Sequence, residues 1–240
     1  MTPLLLLHGF PLDHRMWDGV APLVTGFSSV FAPDLPGDSV DQEPSLDVVA
    51  DAVAQRLRAA GIDKVAVAGL SMGGYVALAL LERHPDLVVA LALVDTKSTA
   101  DEPEALANRL RVAAEAEASG TVDVVRPMSA VLLGETTRTV HPEITATVDG
   151  WIGEQDPATV AWSQRAMAAR ADRTETLRAF AGPVVVVVGD EDTVTPVAAA
   201  EHMVAAAPHA RLVVVPHAGH LTAIEDPVAV AAALSELPVE

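Results

Sequence analysis

The sequence predicts an α/β domain with a doubly wound, mostly parallel sheet and an inserted block of helices. Three observations predict it. Six short runs dense in leucine, valine and alanine are spaced along the chain: Leu4 to Leu7, Val30 to Ala32, Val65 to Ala68, Leu87 to Val94, Val184 to Val188 and Leu212 to Val215. They are apolar at consecutive rather than alternate positions, the pattern of strands covered on both faces. Most of the segments between them carry helical spacing, and that alternation is the mark of a parallel sheet. Glycine, proline and polar residues gather just after the runs, at the edge where open α/β sheets bind ligands.

The elements follow in order. The first run ends at His8-Gly9-Phe10-Pro11 and the second in Pro33-Asp34-Leu35-Pro36-Gly37. Ser45 is placed to cap a helix whose apolar face is Leu46, Val49, Val53 and Leu57, and Gly61 to stop it. The third run flows into Gly69-Leu70-Ser71-Met72-Gly73-Gly74, and Tyr75 to Leu81 continue at helical spacing towards His84-Pro85. The fourth ends at Asp95-Thr96.

Residues 97–180 break the rhythm. They hold no valine-rich run and read as helices around Glu104 to Glu117, Val122 to Leu133, Ile144 to Trp151 and Pro157 to Ala169, punctuated by Gly120, Gly134, Gly150 and Gly153. This predicts a core of residues 1–96 and 181–240 with a helical cap of residues 97–180. Trp151 and Trp162 lie in the cap, placed either to pack it on the core or to touch substrate. The fifth run ends at Gly189-Asp190-Glu191-Asp192, and Thr195 and Pro196 read as N-cap and first-turn proline of the next helix. The sixth ends at Pro216-His217-Ala218-Gly219-His220, and Asp226-Pro227 opens the closing helix.

Composition excludes several function classes. The chain has 240 residues, half of them apolar, enough for one large domain. Its 33 acidic against 15 basic side chains give a formal charge of −18, which disfavours nucleic acid, because phosphate neutralisation needs clustered Lys and Arg. No apolar run is long enough to cross a bilayer, so no membrane partner is expected. The start, MTPLLLLHGF, lacks a basic region and a cleavage site and reads as a strand, so a cytoplasmic location is expected. There is no cysteine, hence no disulfide, thiolate metal site or cysteine nucleophile. Oligomeric state has no signature in the sequence.

The chemistry centres on Gly69 to Gly73, a G-x-S-x-G between a strand and a helix. That context is a nucleophile elbow: the turn is sharp, the serine stands clear of the backbone, and the helix N-terminus supplies amides where an oxyanion would form. A serine needs a base, and the base an orienting acid. Of eight histidines, His220 stands at the same sheet edge; His217 is its nearest rival, and His8 reads as a loop-shaping residue. The acid should fall between serine and histidine in the chain. Asp192, Asp95 and Asp190 all satisfy that order.

With these pieces assembled, the chain resembles the α/β hydrolases of the lidded esterase, lactonase and non-haem haloperoxidase group. Leu7-His8-Gly9-Phe10, Asp34-Leu35-Pro36-Gly37, Gly69 to Gly74, Gly189 to Asp192 with Thr195-Pro196, and Ala218-Gly219-His220 occur in that family's order across nearly the whole chain. The resemblance implies the α/β-hydrolase fold, with Ser71 as nucleophile, His220 as general base and then acid, and Asp192 as its orienting partner. It implies an oxyanion hole from the backbone N–H groups of Phe10 and Met72, and no metal or organic cofactor. Trp151, Trp162 and Leu221 are pocket candidates. The activity implied is hydrolysis of a small carboxylic ester or lactone through an acyl-enzyme. A serine at the elbow argues against the related haloalkane dehalogenases and epoxide hydrolases, which use aspartate there. A cofactor-free perhydrolase and a carbon–carbon bond hydrolase share the triad. A non-catalytic ligand-binding protein is the alternative of a different class. The sequence departs from the family twice. The usual antiparallel hairpin before the His-Gly strand is expected to be absent, since Met1 lies three residues ahead of it. Asp38 stands where relatives usually have His-Gly, an expected surface-loop change.

Overall fold

Strands apolar at every position need cover on both faces. The computed structural model, which describes residues 1–238, shows how this chain supplies it. β1 (Leu4–Leu7), β2 (Val30–Phe31), β3 (Val65–Leu70), β4 (Val88–Val94), β5 (Val184–Gly189) and β6 (Ala210–Val215) form one sheet in the order β2-β1-β3-β4-β5-β6, and every pairing is parallel. The predicted doubly wound sheet is therefore what forms. β1, β3 and β5 are buried at every residue. The order reverses at β1, with β2 on one side and β3 on the other. That switch point opens a crevice beyond the carboxyl ends of β1 and β3.

α1 (Leu46–Ala59) starts where the Ser45 hydroxyl accepts the Asp47 N–H at 3.2 Å, and it buries Leu46, Val49, Val53 and Leu57. α2 (Met72–Arg83) packs on β1, β3 and β4. Its closeness to the sheet explains two glycines. A Cβ on Gly69 would lie 2.3 Å from the Gly73 carbonyl oxygen, and one on Gly73 would lie 2.1 Å from that of Leu7.

Between β4 and β5 the chain is helical only. α3 (Pro103–Ser119), α4 (Ser129–Leu132), α5 (Glu135–Val140), α6 (Pro142–Gly153), α7 (Pro157–Ala168) and α8 (Thr174–Ala179) follow one another. α3 and α7 pack together, and Arg165 on α7 pairs with Glu117 on α3. Both ends of the insertion are pinned. Arg170 meets both carboxylate oxygens of Asp101 at 2.7 Å and lies 4.0 Å from the Tyr75 ring centre. Arg173 reaches Glu82 on α2 at 3.1 Å and Asp47 on α1. After β5 come α9 (Val197–Ala206), α10 (Thr222–Glu225) and α11 (Pro227–Ser235). α9 and α11 both contact β5 and β6, and the Asp226 carboxylate caps α11 at 2.9 Å from the Ala229 N–H.

The structure differs from expectation mainly inside the insertion. The single helix expected over Val122 to Leu133 is broken into a 3-10 turn at Arg126–Met128 and then α4. Pro127 lacks the N–H that a continuous helix would use. α5 and α8 went unpredicted, because six residues are too few for a periodicity to register. Gly150, expected to punctuate, sits inside α6. Asp38 lies on the surface as expected, paired with Arg56 at 2.7 Å.

Candidate active site

Ser71 follows β3 directly and precedes α2. Its backbone sits at φ 51° and ψ −111°, a region that L-residues rarely adopt and that turns the chain sharply from strand to helix. The turn is held by the Ser71 N–H on the Val94 carbonyl at 3.0 Å and by the Thr96 hydroxyl on the Ser71 carbonyl at 2.8 Å.

His220 lies on the loop between β6 and α10, 1% exposed. Its Nε2 stands 2.9 Å from Ser71 Oγ, and its Nδ1 stands 2.8 Å from Asp192 Oδ2. Asp192 follows β5. Its Oδ1 accepts the Val194 and Thr195 N–H groups at 2.8 and 2.9 Å, and its Oδ2 also accepts the Thr195 hydroxyl at 2.8 Å. Thr195 is thus not the helix N-cap that the sequence suggested; Pro196 occupies that position and the hydroxyl serves the carboxylate. Burial favours a neutral Asp192, but the bond and charge of His220 and the Thr195 donors outweigh it and hold the carboxyl below its ordinary range. For His220, burial opposes the charged ring, and the Asp192 bond with the charges of Asp192, Asp95 and Glu225 raises its pKa above 6.5.

The other acid candidates have different partners. Asp95, at the end of β4, is fully buried at φ 44°. Its Oδ1 accepts the Gly189 N–H at 3.1 Å, and its Oδ2 accepts the Thr222 N–H and hydroxyl at 3.0 and 2.7 Å. Burial and the nearby Asp192 charge push its pKa up to about 7. Asp190 Oδ1 accepts the His217 N–H at 2.6 Å, and His217 is exposed.

His8 shapes its loop. The buried ring accepts the Leu35 N–H on Nε2 at 2.7 Å, which puts the proton on Nδ1, facing the Gly9 carbonyl at 3.2 Å. Burial lowers its pKa, so the ring stays neutral. Beyond it, the Phe10 and Met72 backbone N–H groups have no acceptor among the described hydrogen bonds. Both residues line a narrow cleft with His8, Leu12 and Leu35 from the core and Val160 from α7.

With this geometry in place, comparison with known proteins identifies the lineage. Residues 2–227 match the family described as alpha/beta hydrolase fold. The chain belongs to that family. This hydrolase is 29% identical to the pimeloyl-[acyl-carrier protein] methyl ester esterase of Nitrosomonas europaea, an alignment covering 90% of this chain and 88% of that protein. It is 33% identical to the enzyme of the same name from Neisseria meningitidis serogroup A, covering 90% and 70%. A thermophilic esterase from Thermogutta terrifontis, solved with malate bound, superposes with a TM-score of 0.90 at 35% identity, covering 98% of this chain and 89% of that one.

Trp151, Trp162 and Leu221 do not line the Phe10–Met72 cleft, and neither do Ser71 and His220. Trp162 is buried, and its indole N–H donates to the Gln42 carbonyl at 2.8 Å, tying α7 to the core. Trp151 on α6 lies under Arg15, 5.2 Å from the guanidinium to the ring centre. Leu221 is buried beside His220, its N–H on Glu225 Oε1 at 3.1 Å. Gln155, in the loop between α6 and α7, and Thr159 and Ser163 on α7 also line the cleft, and sequence reasoning missed them, since isolated polar residues in the insertion carry no pattern. One acidic cluster, Asp13, His14 and Asp34, brings three ligand atoms within 4.8 Å of one another. It is satisfied without a cation: His14 bonds Asp34 at 2.8 Å, while Arg15 and Gln155 take Asp13. Among the described residues no helix is long and apolar enough to cross a membrane.

Proposed function

We propose that this hydrolase cleaves a small carboxylic ester or lactone through an acyl-enzyme on Ser71, with His220 as general base and acid and Asp192 as its orienting partner. The enzyme class, a carboxylic ester hydrolase, rests on the family and on the esterase relatives. The residues and the route are the proposal. The observation that carries it is the continuous relay from Ser71 Oγ to His220 Nε2 at 2.9 Å and from His220 Nδ1 to Asp192 at 2.8 Å.

The chemistry follows from that relay. Ser71 Oγ attacks the carbonyl carbon while His220 Nε2 takes its proton. The imidazolium so formed is stabilised by the ionised Asp192. Charge on the carbonyl oxygen meets the Phe10 and Met72 N–H groups, and losing one such donor typically costs about 2.7–4 kcal/mol of transition-state stabilisation. The tetrahedral species collapses, the alcohol leaves with the proton from His220, and the acyl group stays on Ser71. Water then gives a proton to His220, attacks the acyl carbon and releases the acid. The relatives are named for a methyl ester borne on an acyl-carrier protein, and the single-carbon alcohol of that ester supports a small leaving group.

Fluorophosphonate labelling followed by intact mass tests the nucleophile without assuming a substrate. One adduct is expected on native protein and none on Ser71→Ala or on heat-denatured protein. A folded wild type that takes no adduct, yet binds ligand as Ser71→Ala does, would overturn the reading in favour of a non-catalytic binder. A positive result leads to a panel of short esters and lactones.

A further inference from the structure

The His220 loop does not rest on the core alone. Its backbone is docked onto residues 132–137 of the insertion. The His220 N–H donates to the Leu132 carbonyl at 2.8 Å. On either side of it, the Gly219 and Leu221 N–H groups donate to Glu225 Oε1 at 2.9 and 3.1 Å. The other oxygen of the same carboxylate, Oε2, accepts the Gly134 N–H at 2.8 Å and the Thr137 hydroxyl at 2.6 Å. The Asp192 loop is tied to the same segment: Glu191 accepts the Thr136 N–H at 2.8 Å and its hydroxyl. The two backbones touch so closely that a Cβ on Gly219 would lie 2.3 Å from the Gly134 nitrogen. Leu132 and Leu133 are buried beside this seam.

We propose that Glu225 is a positioning residue for the reaction, a single carboxylate that couples the placement of the inserted segment 132–137 to the placement of His220. The inference rests on His220 acting as the base. Its physical basis is the division of labour between the two oxygens. One holds both neighbours of His220, and the other holds the insertion. A carboxylate is acceptor-only, so it satisfies donors at both ends. An amide in its place cannot. Glutamine presents one oxygen and one NH2, and both ends of Glu225 face N–H donors. The Thr137 hydroxyl can turn to accept, so the favoured glutamine orientation keeps its oxygen on Gly219 and Leu221. Its NH2 then opposes the Gly134 N–H. Glu225→Gln therefore releases the insertion while keeping the local loop bonds. This separates coupling from a purely local role.

Three variants are compared with wild type: Glu225→Gln, Thr137→Val and Glu225→Ala. A chromogenic short ester gives kcat and KM, and hydrogen exchange by mass spectrometry follows residues 132–137 and 218–222. For Glu225→Gln the expected loss in kcat is about 10- to 100-fold, the scale of an ångström-size misplacement of a reacting group. KM should change far less. The pH at which His220 titrates should fall, because the Glu225 carboxylate adds to that of Asp192 in favouring the charged ring and has been removed, while the third facing group, Asp95, holds its proton up to about pH 7. Exchange should rise in both segments, and Thr137→Val should show the same pattern more weakly. Glu225→Ala, which loses both ends, should be the most affected. Wild-type kcat and an unchanged pH profile in a folded Glu225→Gln, or exchange raised on one side only, would overturn the proposal. If wild type turns over no ester and takes no fluorophosphonate, the hydrolase reading fails instead. The exchange pattern still decides whether Glu225 joins the two segments.

Discussion

The loops after β4 and β5 each carry a buried aspartate, and the two carboxyls end in opposite states. Each strand is followed by an aspartate, Asp95 or Asp192, that is buried and bonded to a threonine hydroxyl and to backbone N–H groups. Asp192 also meets the His220 ring, and that bond together with the Thr195 donors keeps it ionised against the cost of burial. Asp95 lacks the ring, lies deeper and feels the Asp192 charge, so it holds its proton up to about pH 7. Two like charges in one low-dielectric site cannot both form cheaply. The lesson is that a histidine within reach, more than the strand end or the threonine, separates the proposed orienting acid, Asp192, from Asp95. Asp95 instead ties Gly189 on β5 to Thr222 on α10, beneath the loops that carry Asp192 and His220.

Asp192→Asn is the strongest way to break that comparison. It should lower kcat by about 10⁴-fold, the loss seen when the orienting carboxylate of a serine triad becomes an amide. In wild type, kcat/KM should rise with pH through a midpoint above 6.5, because the proposed base is the neutral His220 ring and its pKa is raised. A steady-state pH series on both proteins checks the two statements together. A retained rate would hand the orienting role to Asp95.

Asp95→Asn sharpens the comparison with a smaller effect. Its activity loss should stay within about 10-fold, while stability falls by about 1–3 kcal/mol, since the amide NH2 must oppose one N–H donor. The pH dependence gives the sign. Asp95 holds its proton to about 7 when folded and to about 3.8 when unfolded. Between those values the native state binds more protons, so this group makes stability fall as pH rises. Urea unfolding at several pH values should show that fall in wild type and its removal in the variant.

Trp162→Phe should matter least. It deletes the indole N–H that bonds the Gln42 carbonyl, with an expected cost of about 1 kcal/mol in stability and little change in KM. A large KM change in ester hydrolysis would assign Trp162 to the substrate pocket instead.

Much of the core was legible because burial on both faces forces unbroken apolar runs, and the short strands left glycine and polar residues at their ends. That punctuation singled out Ser71 and His220 as candidates and left Asp192, Asp95 and Asp190 open; the family resemblance pointed to Asp192. The insertion was legible only as helical. Pro127 broke an expected helix, and α5 and α8 were too short to carry a period. Thr195 was misread because a serine or threonine before a proline looks like a cap whatever its hydroxyl meets. Glu225 gave no signal, since its four donors come from residues 134, 137, 219 and 221, on two segments far apart in the chain.

By itself, then, the sequence determined the parallel sheet, the elbow at Ser71 and the sheet edge at which chemistry gathers, because these follow from local periodicity and turn residues. Tertiary structure alone decided which aspartate meets His220, which carboxyl keeps its proton, and that the insertion grips the His220 loop through Glu225. Those outcomes depend on distance and desolvation between segments as far as 127 residues apart, and both quantities exist only once the chain has folded.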